Sequence, residues 1–288
     1  MSTTMTPPPP PSSAVPDRPA DAPPPSSGSR VVAIVVIVFG GLVLLGAMIS
    51  AAVGTIASAS VSTSTRTVDV ADVDQLDVDA AAGTLQVEFT DVAEAELEVT
   101  SSWGADVWRF ERQGDTLEVA SPDRFGWFGW GGWFGDQRTD AVLRLPVALE
   151  GLDADVSLSA GEFVTDGEFG ALDISLAAGS FDVTGSAETL TADMSAGRGV
   201  LELEDVGTAV LTVSAGSMEA RLTGSRPDSI DMDVSAGSLR LTVPEGEYDV
   251  TSDVSAGGFD NDLGSTPGAA STITVQVSAG EVVLRSEG

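Results

Sequence analysis

The 288-residue chain predicts an all-β fold, a single-stranded β-helix or solenoid with rungs of about 20 residues, preceded by one transmembrane helix. Three observations carry this expectation. A Ser-Ala-Gly or Ala-Ala-Gly step recurs eight times, ending at Gly83, Gly161, Gly179, Gly197, Gly216, Gly237, Gly257 and Gly280. From residue 67 onward apolar and polar residues alternate with period two, and no segment shows a helical period. Val31 to Ala57 is a run of 27 residues without a charge.

Composition narrows the chemistry. The chain has no cysteine and no histidine, and all 13 basic residues are arginine. Catalysis by a Cys/His or Ser/His pair is excluded, as is a His/Cys zinc site. Without disulfides, stability must come from burial. The net charge of −31 repels nucleic-acid phosphates and anionic headgroups and attracts cations or basic partners. No nucleic-acid partner is expected.

In chain order, residues 1–30 include "TPPPPPSSAVPDRPADAPPPSSGSR", rich in Pro, Ser and Ala and without apolar periodicity, which predicts a disordered tail. Residues 31–57 follow as the transmembrane helix, since about 20 apolar residues cross a bilayer core. The "ASA" at 57–59 resembles a signal-peptide cleavage site, so cleavage stays open, although a signal peptide has a shorter apolar stretch. Arg18 and Arg30 precede the run and only Arg66 closely follows it. This places the protein in the plasma membrane as a single-pass anchor, amino terminus cytoplasmic and C-terminal domain extracytoplasmic. Residues 58–66 read as a Ser/Thr linker, and 67–288 as an acidic β-solenoid domain.

Within that domain "TVDVADVDQLDVDAAAGTLQVEFTDV", "DTLEVASPD" and "DAVLRLPVAL" alternate as half-buried strands do. "RFGWFGWGGWFGDQR" (124–138) breaks the pattern, which predicts an aromatic insertion at about 121–138. All five tryptophans fall within 31 residues. Trp127, Phe128, Trp130, Trp133 and Phe134 are candidates for a cap on the solenoid, a partner-binding or sugar-stacking loop, or a membrane-interface contact.

Between Gly161 and Gly280 the steps lie 18, 18, 19, 21, 20 and 23 residues apart. Five before the glycine stand Val156, Ile174, Ala192, Leu211, Met232, Ser252 and Val275; two after it stand Phe163, Phe181, Met218, Leu239, Phe259 and Val282, with Gly199 a gap. These are columns of an interior. Apolar residues occupy odd offsets before the glycine and even offsets after it, so a turn or corner must sit at the Ala-Gly step. Gly would supply a positive φ there, Ala would point into the crowded corner, and Ser would bond to the rungs above and below. A hairpin meander closed by two-residue Gly-X turns satisfies the same parity.

With its apolar anchor segment, "AVLRLPVAL" leading into "DVSLSAGEFVTDGEFGALDISLAAGSFDVTG", and repeated Ser-Ala-Gly steps, the chain resembles the bacterial toast-rack proteins. These β-strand-repeat domains are often labelled putative adhesins, and some accompany envelope-stress systems. The likeness covers roughly residues 67–288. It implies a right-handed single-stranded β-helix and brings no catalytic residues.

Asp193, Asp233, Asp253, Asp260 and Asp262 are candidate cation ligands, because stacked rungs would set carboxylates about 5 Å apart on an outer face. A solvated acidic face explains the same pattern. The scattered arginines and strand-patterned carboxylates give no catalytic cleft, so no enzyme and no cofactor are expected. The last rung, "ITVQVSAGEVVLRSEG", runs to the terminus without a cap, which predicts self-association or a protein partner at the C-terminal rung. The expected function is non-enzymatic: an extracytoplasmic β-repeat domain for adhesion, envelope scaffolding or envelope-stress sensing. The alternative is a cation- or glycan-binding module using the Trp-rich loop.

Overall fold

Period-two alternation buries one face of each strand, and the computed structural model realises it as a single 16-stranded sheet. The structure describes residues 62–101, 105, 107–122 and 139–287. The expected tail and transmembrane helix, and all but two residues of the aromatic insertion, lie outside the described residues. The first strands are β1 (Ser62–Val68), β2 (Gln75–Ala80), β3 (Gly83–Thr90) and β4 (Ala95–Ser101), then β5 (Arg109–Gln113), β6 (Thr116–Ala120) and β7 (Thr139–Pro146). A 3-10 turn at Val147–Leu149 leads to β8 (Leu152–Leu158). The repeats form β9 (Gly161–Leu176), β10 (Gly179–Met194), β11 (Gly197–Glu204), β12 (Thr208–Thr223) and β13 (Ser229–Val243). Last come β14 (Tyr248–Val254), β15 (Gly257–Asn261) and β16 (Ser271–Ser286).

The repeats stack in parallel, glycine on glycine. Gly161 pairs with Gly83 and with Gly179, Gly197 with Gly179 and Gly216, and Gly237 with Gly216 and Gly280. A hairpin meander would make these pairs antiparallel, so that alternative is excluded for the stack. Strand segments before the glycines form one wall, and segments after them form the other. Between the walls lie Leu211, Val213, Ala220 and Leu222 of β12, all 0% exposed, and their equivalents in each rung. Phe163 and Phe181 fill the column two past the glycine, and the missing side chain at Gly199 is replaced by the Phe181 ring, which a Cβ there would strike.

The corner explains the tripeptide. Gly179 has φ +133°, and a Cβ on it would overlap the Gly161 carbonyl oxygen of the adjacent rung. Rungs can therefore approach to ladder distance at the corner only through glycine. Backbone hydrogen bonds run through the turn: the Gly179 amide donates to the Ala196 carbonyl at 3.1 Å, and the Ala177 amide to the Leu158 carbonyl at 2.9 Å. The backbone, rather than the serine hydroxyl, makes these rung-to-rung bonds. The alanine also departs from expectation. Ala160, Ala178, Ala215, Ala236 and Ala279 are exposed, because serine and alanine both face outward as the chain rounds the corner.

Sequence order and spatial order differ at both ends. The β6–β7 pair forms a rung outside β2–β3: β6 pairs with β2, and β7 with β3, all in parallel. Thr139 stands beside Gly83 as the next member of the glycine column. Antiparallel strands close this end, with β4 on β7, β1 on β4 and β5 on β6. The buried hydroxyls of Ser101 and Thr139 meet at 3.2 Å where the column stops. Two boundaries are corrected. Of the expected linker 58–66, residues 62–66 belong to β1, which ladders onto β4. The C-terminal rung is not the last rung: β16 lies between β13 on one side and β14 with β15 on the other. The Gly257 rung forms the end of the stack.

Candidate functional site

The strand ladders carry side-chain columns on both outer faces, and charge decides which columns are chemically distinctive. On the wall before the corner, Glu118, Asp77, Asp155 and Asp173 stand on successive strands β6, β2, β8 and β9. Such neighbours lie about 4.8 Å apart along the ladder. Burial, followed by the charges of Asp77 and Asp173, pushes the Asp155 carboxyl above its ordinary value. A cavity of about 270 Å³ opens beside this column, lined by Asp77, Asp79, Arg109, Glu118, Ser121 and Pro122. Arg109 reaches Glu118 from the antiparallel strand β5 and tempers the charge. Among the described residues, no group of three carboxylates is arranged to hold a metal ion.

The five expected cation ligands are not brought together. In the column four before the glycine, Thr212 separates Asp193 from Asp233, and Gln276 separates Asp233 from Asp253. Asp260 and Asp262 face the other wall and are occupied by Arg285 of β16, at 2.8 and 2.9 Å. Asn261, which gave "DNDLG" its likeness to a calcium loop, spends its side chain on the Leu263 amide and the Gly264 carbonyl. The Arg285 pairing was legible in the alignment, since Arg285 and Asp262 both stand five past their glycines. Glu118 was not, because no glycine marks its rung.

A second acidic feature lies at the corner opposite the glycine column. A groove of about 840 Å³ is lined by Asp166, Glu168, Glu202, Glu204, Asp205 and Arg221, among others. Gly167 and Gly185 open it, and the Phe89 ring closes its floor where a Cβ on Gly167 would stand. Phe89 packs edge-on against Phe169, with ring centroids 5.7 Å apart. The Ser225 amide, bonded to Asp205 Oδ1 at 2.8 Å, holds the Asp205 carboxyl below its ordinary value. The groove is open to the surface.

Trp127, Phe128, Trp130, Trp133 and Phe134 lie outside the described residues, as does Trp103. Only the root of their insertion is described. The Ser121 amide donates to the Asp79 carbonyl at 2.8 Å, and the Ser121 hydroxyl accepts from the Ala81 amide at 2.8 Å. Trp108 is buried at the N-terminal end of the stack, and its carbonyl accepts from Arg66 Nη1 at 2.8 Å.

At the opposite end, Tyr248 starts the last rung. Its hydroxyl donates to the Pro244 carbonyl at 2.8 Å, and burial pushes its pKa up to about 12. Beyond it residues 251–258 are all exposed.

Comparisons with known proteins agree with this architecture. The family model described as Toastrack DUF4097 matches residues 73–285. No curated protein matches the chain. Among solved structures, a putative adhesin from Bacteroides fragilis is similar at 14% identity with a TM-score of 0.50, covering 78% of this chain and 97% of that one. This likeness concerns the fold alone. A putative adhesin from Parabacteroides merdae (13% identity, TM-score 0.39, 78% of this chain and 96% of that one) is less similar. So is a putative cell adhesion protein from Clostridium sporogenes (10% identity, TM-score 0.36, 79% and 100%).

Proposed function

The chain belongs to the Toastrack DUF4097 family, and from that membership we propose a non-enzymatic single-pass membrane protein that presents an extracytoplasmic β-repeat domain for adhesion, envelope scaffolding or envelope-stress sensing. The observation that carries this reading is the glycine-registered stack itself. Its interior is apolar side chains packed rung on rung, so its outer walls are rigid, regular ladders of polar groups, suited to presenting a surface. The uncharged run at 31–57 supports the anchor, and Arg18 and Arg30 before it support a cytoplasmic amino terminus. We take the coil to be right-handed, the hand that parallel crossover connections favour.

The test is topological and chemical at once. A phosphatase that folds only outside the cytoplasm, fused after Gly288, should be active in cells, with the fusion in the membrane fraction. Activity from a cytoplasm-only reporter at the same position would overturn the topology. Turnover of acidic polysaccharides by the purified chain would overturn the non-enzymatic assignment.

A further inference from the structure

The end rung formed by β14 and β15 leaves half of its edge open. Neighbouring residues of a parallel strand turn their backbone groups to opposite sides. The Ser255 amide donates to the Val277 carbonyl of β16 at 2.8 Å, so Val254, Ser252 and Val250 turn theirs away from β16. Val250 is covered: its amide donates to Ser265 Oγ at 3.0 Å, and that hydroxyl donates back to its carbonyl at 3.2 Å. The Tyr248 carbonyl accepts from the Thr266 amide at 2.8 Å. This cover, supplied by the 262–270 loop, ends there. Among the described residues nothing meets the outward groups of Ser252 and Val254, and Val254 is 38% exposed where its equivalents Val234 and Val277 are buried.

Charge says what the edge accepts. Asp260 and Asp262 flank the rung, with one guanidinium, Arg285, against both carboxylates from the β16 side. Two carboxylates against one cation leave this side of the edge negative. A second copy would bring its own Asp253 and Asp260 to this face in a chain of net charge −31. We propose that the β14–β15 edge docks an extended segment of a different protein as the next rung. That segment runs parallel in the glycine register, sets apolar or small residues over Val254 and Phe259, and carries a basic residue over Asp262. The inference holds whether or not residues 31–57 span a membrane.

The strand already seated against this rung supplies a probe. A labelled peptide with the sequence of residues 271–286 carries the Val-Ser-Ala-Gly register and Arg285. Titrated against the full chain in detergent micelles, it should bind saturably and more weakly as salt rises. Val254→Pro removes an amide that faces away from β16 and should weaken binding at least tenfold. Asp262→Asn should weaken it two- to fivefold and leave the fold intact. A peptide N-methylated along one edge should lose binding, while the same peptide methylated along the other keeps it. No binding would overturn the proposal. So would binding that ignores Val254→Pro, which would mean exchange into the β16 slot, or sedimentation showing copies of the chain dimerising through this edge.

Discussion

Gly179 and Asp155 show how differently single residues matter in a stacked fold. Gly179 combines a positive φ of 133° with a hydrogen-sized gap to the Gly161 carbonyl, so any side chain must push two rungs apart. Gly179→Ala should cost about 3 kcal/mol, lowering Tm by about 6–12 °C. Gly114 also has positive φ, 69°, but open space around it, so Gly114→Ala should cost only about 1 kcal/mol. Thermal unfolding of the two variants separates conformational strain from backbone collision. Asp155 acts through charge. Its raised pKa means the folded state holds that proton more tightly than the unfolded chain does, so this site loses stability as pH rises from 3.8 through the raised value. Asp155→Asn should therefore raise Tm at pH 7 by up to about 4 °C, because burial and like charges on adjacent strands disfavour the ionised carboxyl by about 0.2–1 kcal/mol. Well below pH 3.8, where the carboxyl is protonated in both states, the gain should vanish. Parallel melting curves at the two pH values check this.

At the scale of elements, the placement of β16 decides which rung is interior and which is exposed. Val234, Val254 and Val277 precede their Ser-Ala-Gly steps by the same spacing, so sequence offers β14–β15 and β16 as equally good neighbours for β13. The interior supplies the preference. Ile273, Val275, Val277, Val282 and Leu284 are each at most 2% exposed, whereas the Gly257 rung has Ser252 in place of Val275 and an exposed Val254. Placing the richer strand inside buries more apolar surface, and the poorer one is left to face water. Leu284→Ala should accordingly cost about 2–5 kcal/mol, the usual range for a fully buried leucine. Val254→Ala should cost under about 0.5 kcal/mol. Denaturant titration distinguishes the two, and the reverse ranking would mean that β16 is the terminal rung after all. The same reasoning applies to the N-terminal strands. A short Ser/Thr stretch reads as linker because it lacks apolar residues, yet β1 is held by seven paired positions along β4.

Over the whole molecule, the local code and the assembled code divide cleanly. Alternation, the glycine spacing and the parity switch at each Ala-Gly step determined an all-β chain with coils of like residues in columns. They did so because burial on one strand face and the need for glycine at a corner are conditions each short segment must meet alone. The Asp77, Asp155 and Asp173 column and the Arg285 pairing were legible by the same alignment, once neighbouring rungs were known. Which rungs are neighbours was not legible. The β6–β7 rung packs outside β2–β3, and β16 inserts between β13 and β14. These choices are set by totals of buried surface and satisfied backbone over strands far apart in sequence, and equivalent Ser-Ala-Gly segments carry no label for their place in the stack. Each short segment specifies its rung and its corner; the order of rungs and the edge left open emerge only on assembly, because a repeated segment pairs equally well with any copy and only the completed interior tells the copies apart.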